Sequence, residues 1–117
     1  MFNESDNSIL SSIKSSLGID KDDTSFDTDI IMHINSVFSI LTQLGVGPSE
    51  GFAIVDKDDS WDDFVDEDNT TLISMKSYMY MKVKLLFDPP SQSAVIASYE
   101  KLISEFEWRL NVAAETK

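Results

Sequence analysis

The sequence predicts a mainly α-helical protein, a small bundle of four helices with a short extended segment or hairpin between the second and third long helices. Apolar residues recur at spacings of three and four in four segments of the chain, the period of helices with a buried face. Glycines, prolines and polar capping residues stand at the ends of these segments. Because the chain has 117 residues, 42% hydrophobic and 26% charged, we expect one globular domain over residues 1–117.

The first predicted helix runs from about Ser5 to Leu17. Ser5 or Asp6 is expected to cap its start by accepting a free backbone N–H, and Gly18 stands where a left-handed residue ends a helix. The apolar residues of this segment recur on one side and form its expected buried face, which consists of Ile9, Leu10, Ile13 and Leu17.

The second predicted helix follows an acidic connector, Asp20–Asp29, and ends at Leu44. Ser25 or Asp27 is expected to cap its start, and acids in the first turn suit the helix dipole. The segment Gly45–Pro48 cannot continue a helix. The apolar stripe of this second helix is broad enough to face a core, and it consists of Ile30, Ile31, Ile34, Val37, Phe38, Leu41 and Leu44.

Between the second and third long helices, Phe52–Val55 is interpreted as a short strand or extended segment, Asp56–Asp59 as a turn and Ser60–Phe64 as one helical turn capped by Ser60.

The third long helix is expected from Asn69 or Thr70 to Phe87, where Asp88–Pro90 stops it. It is apolar around most of its circumference, so it is central in the core or also faces another subunit. Three apolar stripes cover it: Leu72, Met75, Met79, Val83 and Leu86; Tyr78, Met81 and Leu85; and Ile73, Tyr80 and Phe87.

The last helix is expected from a cap at Ser91 or Ser93 to about Ala113. Its apolar residues again recur at helical spacing. The predicted buried stripe consists of Val95, Tyr99, Leu102, Phe106 and Leu110.

Charge and composition exclude several classes of function. The chain has 21 acidic and nine basic residues, which gives a formal net charge of -12. This charge argues against an autonomous binder of nucleic acid or anionic membranes, because phosphate contacts need Lys and Arg. The absence of cysteine excludes disulfides, Cys-ligated zinc and thiol catalysis. No signal peptide or stretch of about 20 apolar residues is visible, so we expect a soluble protein of the cytoplasm, at least where it is made.

The densest acidic stretch, Asp56–Asp68, has a spacing of acids that partly matches a calcium-binding loop. With Asp56 in position one, Glu67 takes position twelve, but Trp61 stands where the sharp turn needs glycine and Asp63 where an apolar residue is usual. A solvated acidic loop is therefore the favoured interpretation, and no metal or cofactor is predicted.

No catalytic set is visible in the sequence. His33, the only histidine, lies inside the second helix among isoleucines, so a position at the helix surface or core boundary is favoured over a catalytic triad. Gly45 and Gly47 lack the third glycine and the basic partners of a phosphate-binding loop.

Lys76, Tyr80 and Lys84 lie four apart on one side of the third helix. They are candidates for contact with an acidic partner or a neighbouring subunit. In the alternative, the lysine heads stay in water while their stems cover apolar surface.

The region between the second and third long helices holds many large apolar side chains. They either fold back on the core or form a docking surface, with partial use in the core favoured. The candidate residues are Phe52, Ile54, Val55, Trp61 and Phe64.

The order of segments from Ile9 to Leu110 resembles the small head–tail connector proteins of tailed bacteriophages and prophages, also called head-completion or adaptor proteins. The segments that carry this resemblance are the helix ending in Leu44-Gly45-Val46-Gly47, then Trp61-Asp62-Asp63-Phe64, then Leu85-Leu86-Phe87-Asp88-Pro89-Pro90, and last Phe106-Glu107-Trp108-Arg109-Leu110.

The resemblance implies a non-enzymatic protein of the virion neck, assembled in the host cytoplasm into a ring of twelve subunits beneath the portal. The ring extends the DNA channel, through which DNA passes without specific binding, and joins the next neck or tail protein. Rings need two different patches on each subunit. Tyr80 and Lys84 are expected in one patch and the Phe52–Phe64 segment in the other, while the acidic excess suits a channel that repels phosphates.

Two other functional hypotheses remain open. An acidic helical binding module, such as a DNA mimic or an inhibitor of a basic partner, is motivated by the charge of -12. A mimic needs acids along one continuous face, whereas here they gather in two connectors. A small enzyme is the third hypothesis, but the sequence shows no catalytic constellation that would support it.

Overall fold

The computed structural model describes residues 7–64 and 69–115. In order along the chain, the helices are α1 (Ile9–Ser16), α2 (Asp27–Gln43), α3 (Trp61–Phe64), α4 (Asn69–Phe87) and α5 (Ser93–Glu115). No sheet is present among the described residues, and residues 51–55 are in neither helix nor strand. The predicted mainly α fold of four main helices is thus confirmed.

Helix α4 lies at the centre of the bundle, in contact with α1, α2 and α5. Its first two predicted stripes supply buried side chains to the core, whereas Ile73 of the third stripe is 63% exposed and Tyr80 is half-buried. Leu86 of the first stripe is also exposed. The expectation of a central helix is therefore confirmed, whereas contact of its open side with another subunit stays a prediction. Its buried side chains are Met75, Tyr78, Met79, Met81 and Val83.

The N-terminal caps of α1 and α2 differ from the prediction. Ser8 caps α1 by accepting from the Ser11 N–H, and its hydroxyl also donates to the Lys57 carbonyl, so a tertiary contact sets the start of this helix. The predicted caps Ser5 and Asp6 lie outside the described residues. At α2 the cap is Phe26, without a side-chain hydrogen bond, so the prediction of Ser25 or Asp27 was wrong.

The buried side of α5 is rotated relative to the predicted stripe. Leu102 is 44% exposed, and its neighbour Ile103 is buried instead, together with Leu110. One residue corresponds to about 100° around a helix, so this difference turns the outward side as well. Trp108 lies on that outward side with 68% of its surface exposed.

Gly47 allows the loop after α2 to pass close to α3. Its φ is +84°, and a Cβ atom at this position would overlap the ring of Phe64. The loop therefore needs glycine here both for its backbone conformation and for space. Within the described residues, no helix combines the length and apolar character needed to cross a membrane.

Candidate functional site

The large apolar residues before α4 fold back on the core around Phe38 of α2. The Phe38 ring lies 4.6 Å from that of Phe64 and 5.0 Å from that of Phe52 between centroids. Trp61 is fully buried, and its indole N–H donates to the Ser12 hydroxyl at 3.0 Å. Aromatic contacts of this geometry add to the stabilisation from buried area.

Asn35 of α2 holds the segment that precedes this aromatic cluster. Its side-chain amide donates to the Ile54 carbonyl at 3.0 Å, and its carbonyl oxygen accepts from the Ile54 N–H at 2.7 Å. Both backbone groups of Ile54 are thereby satisfied without a neighbouring strand. Ile54 points into the core, whereas the next residue, Val55, is 78% exposed.

The five candidates of this region therefore divide by burial. Ile54, Trp61 and Phe64 are buried, Phe52 is half-buried against the core, and Val55 faces solvent. The favoured interpretation of partial core use agrees with these positions. A role for the segment in an interface stays a prediction, and of the five candidates only Val55 and the open part of Phe52 offer surface to a partner.

The open side of α4 is a strip formed by the exposed Ile73 and the half-buried Lys76, Ser77, Tyr80 and Lys84, here called the α4 strip. The Lys76 ammonium lies 5.6 Å from the centroid of the Trp61 ring, and the Lys84 ammonium lies 3.1 Å from Oδ2 of Asp88. The Tyr80 and Tyr99 hydroxyls are 3.5 Å apart. This hydrogen bond, followed by burial, raises the pKa of Tyr80 to about 12.

Helix α4 also differs from the rest of the chain in charge. It contains three lysines and no acidic residue, in a chain of net charge -12. The α4 strip is therefore a neutral-to-basic surface that a like-charged copy can approach without repulsion.

Two acidic connectors that are distant in sequence lie together beside the start of α1. The first is Asp20–Asp29, and the second is the acidic stretch that begins at Asp56. Asp22 of the first and Asp58 of the second line the same open hollow of about 560 Å³, together with Lys21 and Lys57. Sequence reasoning placed these acids in two separate groups, since nothing local indicates that the connectors meet. The remaining lining residues are polar: Asn7, Ser8, Ser11 and Ser60.

Several carboxylates of the second connector fix backbone turns. Asp59 Oδ2 accepts from the N–H groups of Val55 at 2.6 Å and Asp56 at 3.2 Å, and Asp63 Oδ2 accepts from the Ser60 N–H at 3.0 Å. These bonds give Asp59 and Asp63 a structural role within the connector. Glu67, the twelfth position of the proposed loop, lies outside the described residues.

Two polar contacts join α4 to α5. The buried Tyr78 hydroxyl donates to Glu107 Oε2 at 2.7 Å, and burial together with this carboxylate raises the pKa of Tyr78. Lys82 lies 3.9 Å from the same carboxylate oxygen. The two helices are thus fixed in relation to each other by hydrogen bonding as well as by apolar packing.

His33 is half-buried on α2, with its ring 6.4 Å from that of Phe87 between centroids, which agrees with the predicted helix-boundary position. Among residues 7–64 and 69–115, no three His, Asp or Glu side chains are placed to hold a metal ion.

Trp108 is the surface residue that sequence reasoning missed as a candidate. Val112, one turn further along α5, is exposed beside it. The signal was present in the sequence, because both residues lie off the predicted apolar stripe at a spacing of four.

Comparison with known proteins gives one match. The family model described as phage connector protein matches residues 9–117. No curated protein and no solved structure matches the chain significantly.

Proposed function

Since this chain belongs to the phage connector protein family, a family of structural, non-enzymatic proteins, we propose that it forms a ring beneath the portal in the neck of a phage or prophage virion. The ring extends the DNA channel and joins head to tail. The observation that carries this function is the family match over residues 9–117. The open side of the otherwise central helix α4 supports it.

The subunit contacts of this ring join two different patches of neighbouring copies, as closed rings require. The α4 strip supplies one patch, through Lys76, Tyr80 and Lys84. The segment from Phe52 to Phe64 supplies the other. Within that segment Val55 and Phe52 reach the partner, while Ile54, Trp61 and Phe64 fix its shape from within the core.

The partners of the ring are the portal on one side and a downstream neck or tail protein on the other, with twelve subunits as the family resemblance implies. DNA passes through the channel without specific binding. The net charge of -12 suits this passage, because like charge repels the phosphates.

The test is completion of heads that lack this protein. Portal-bearing heads are purified from host cells that carry the phage without a functional copy of the gene, and the purified chain is added back. We expect it to co-sediment with the heads, to appear as a ring below the portal in electron micrographs and to restore joining of tails. Failure to bind portal-bearing heads at saturating concentration would overturn the proposal.

Matched variants separate the α4 strip from the general surface. Tyr80→Ala combined with Lys84→Ala is expected to weaken assembly on the heads. Met32→Ala combined with Gln43→Ala removes exposed side chains of α2 instead and is expected to leave assembly unchanged. Equal behaviour of the two double variants would exclude the α4 strip from the contact.

An acidic binding module for a basic partner is the second candidate function. The observation in its favour is the net charge of -12, since in the hollow where the two acidic connectors meet Lys21 and Lys57 offset Asp22 and Asp58. Protamine provides a basic probe. Tight binding that weakens steeply with salt, combined with no binding to portal-bearing heads, would favour this candidate over the ring.

A further inference from the structure

Residues 55–58 form an exposed loop between the buried Ile54 and the half-buried Asp59, here called the Val55 loop. The side chains change from core to solvent between consecutive residues, since Ile54 is 3% exposed and Val55 is 78% exposed. In the isolated subunit Val55 therefore gains little from the burial of apolar surface. In the proposed ring, Val55 is one of the two residues of its segment that reach the neighbouring copy.

The start of the Val55 loop is attached to α2 by Asn35. The Asn35 side-chain amide donates to the Ile54 carbonyl at 3.0 Å, and its carbonyl oxygen accepts from the Ile54 N–H at 2.7 Å. Two bonds from one planar side chain fix both the position and the rotation of the Ile54 backbone. The Ile54 carbonyl belongs to the peptide unit that carries the Val55 N–H, so Asn35 orients the peptide that leads into the loop.

The end of the Val55 loop is attached to the start of α1. The Asp59 carbonyl accepts from the Ile9 N–H at 3.1 Å, and the Lys57 carbonyl accepts from the Ser8 hydroxyl at 2.7 Å. The Asp59 carboxylate accepts from the Val55 N–H at 2.6 Å, which closes the loop across its base. The loop is therefore held at both ends, by α2 and by α1.

We propose that Asn35 is a positioning residue of the subunit contact. It holds the Val55 loop of the isolated chain in the conformation in which Val55 meets the α4 strip of the next copy. This inference rests on the proposed function and deepens it. Because the conformation exists before assembly, the contact does not have to order the loop backbone, which would otherwise reduce the affinity. Asn35 acts through Val55, since both polar groups of its side chain are bonded to Ile54.

Asn111 of α5 provides a matched control. Its side-chain amide donates to the Leu44 carbonyl at 3.1 Å, after the end of α2, and its side chain is half-buried like that of Asn35. Asn111→Ala therefore removes the same atoms and a bond to the backbone, but at a place with no contact to the Val55 loop.

Hydrogen exchange of the isolated chain measures whether Asn35 holds the loop. The amide protons of Ile54 and Val55 are hydrogen-bonded and are expected to exchange slowly in the parent chain. Asn35→Ala is expected to speed their exchange by about tenfold or more, whereas Asn111→Ala leaves it within about twofold. Unchanged exchange of both amides in Asn35→Ala would overturn the proposal.

Assembly on portal-bearing heads measures the effect on the contact. Asn35→Ala is expected to raise the concentration needed for half-assembly by about tenfold, and Asn111→Ala by less than about twofold. An unchanged concentration in Asn35→Ala would overturn the positioning role while leaving the ring itself intact. A parent chain that never assembles on the heads would overturn the proposed function and this inference together.

A double-variant cycle with Val55 separates positioning from a general loss of stability. Val55→Ala alone is expected to raise the concentration for half-assembly by about fivefold, because it removes apolar contact. In the Val55→Ala chain, Asn35→Ala is expected to add less than about threefold, since little side chain is left to position. A purely structural role of Asn35 predicts the full factor in both chains. Independent effects of the two changes, or no effect of Val55→Ala, would overturn the proposal.

Discussion

The ammonium of Lys14 lies 2.8 Å from Oδ1 of Asp27, and Lys14 as a whole is only 2% exposed. The same ammonium donates to the Lys21 carbonyl at 3.1 Å. One buried cation thus joins the end of α1, the acidic connector and the first residue of α2. Its charge is compensated by a carboxylate and a carbonyl, as a buried lysine requires.

Lys14→Ala is expected to destabilise the fold by about 3 kcal/mol, because it leaves the partly buried Asp27 carboxylate without its partner. Urea denaturation followed by circular dichroism measures this change. Lys101→Ala, at an exposed position of α5, is the control and should cost less than about 0.5 kcal/mol. If the two variants are equally stable, the buried pair contributes nothing beyond a surface charge.

The stability of the fold should decrease at alkaline pH. Tyr80 has a pKa of about 12 in the folded chain, against an ordinary value of 10.0, so the folded state retains a proton that the unfolded state has released. The contribution of Tyr80 is complete below pH 10 and is lost as the pH rises towards 12. Denaturation at a series of pH values measures the slope, which Tyr80→Phe is expected to reduce; an identical slope in this variant would argue against the shifted tyrosine.

Gly47→Ala is expected to destabilise the fold more strongly than Gly18→Ala. Both glycines have positive φ angles, of +84° and +81°. A Cβ at Gly47 would overlap the Phe64 ring, whereas nothing lies within 4 Å of a Cβ at Gly18. Gly18→Ala therefore reports the backbone cost of about 1 kcal/mol, and the excess for Gly47→Ala, measured by thermal unfolding, reports the overlap. Equal losses would mean that the Phe64 ring moves aside freely.

The two tryptophans should be distinguishable by fluorescence. Trp61 is fully buried and Trp108 largely exposed. Trp108→Phe is expected to leave a short-wavelength emission that iodide quenches weakly, and Trp61→Phe a long-wavelength emission that iodide quenches strongly. Similar quenching of both variants would contradict the burial of Trp61.

The helices themselves were predictable because strong periodicity and clear stop signals agree along the chain, as in α4, which ends just before Asp88 and Pro89 as expected. The start of α1 was missed because Ser8 is selected by its contact with the Lys57 carbonyl, which no local pattern reveals. In α5, Leu102 and its neighbour Ile103 are equally apolar, so packing against α4 decides which of them is buried.

The candidate surface was predicted less completely than the fold. Lys76, Tyr80 and Lys84 do lie half-buried on one side of α4, because helical spacing determines from the sequence that they share a side. That Asp22 and Asp58 line the same hollow depends on how the two connectors lie beside α1, which is a tertiary property. The burial of Trp61 likewise depends on the ring of Phe38 from a distant helix.

The pairing of Asn35 with Ile54 has a consequence for self-association. Unpaired strand edges are the usual templates for runaway polymerisation, and crowded subunits are exposed to this hazard. Here a side-chain amide takes the place of an adjacent strand at Ile54. Throughout residues 7–64 and 69–115 there is no ladder that another chain can extend. In the proposed ring, neighbouring copies are therefore expected to recognise one another through their side chains rather than by adding strands.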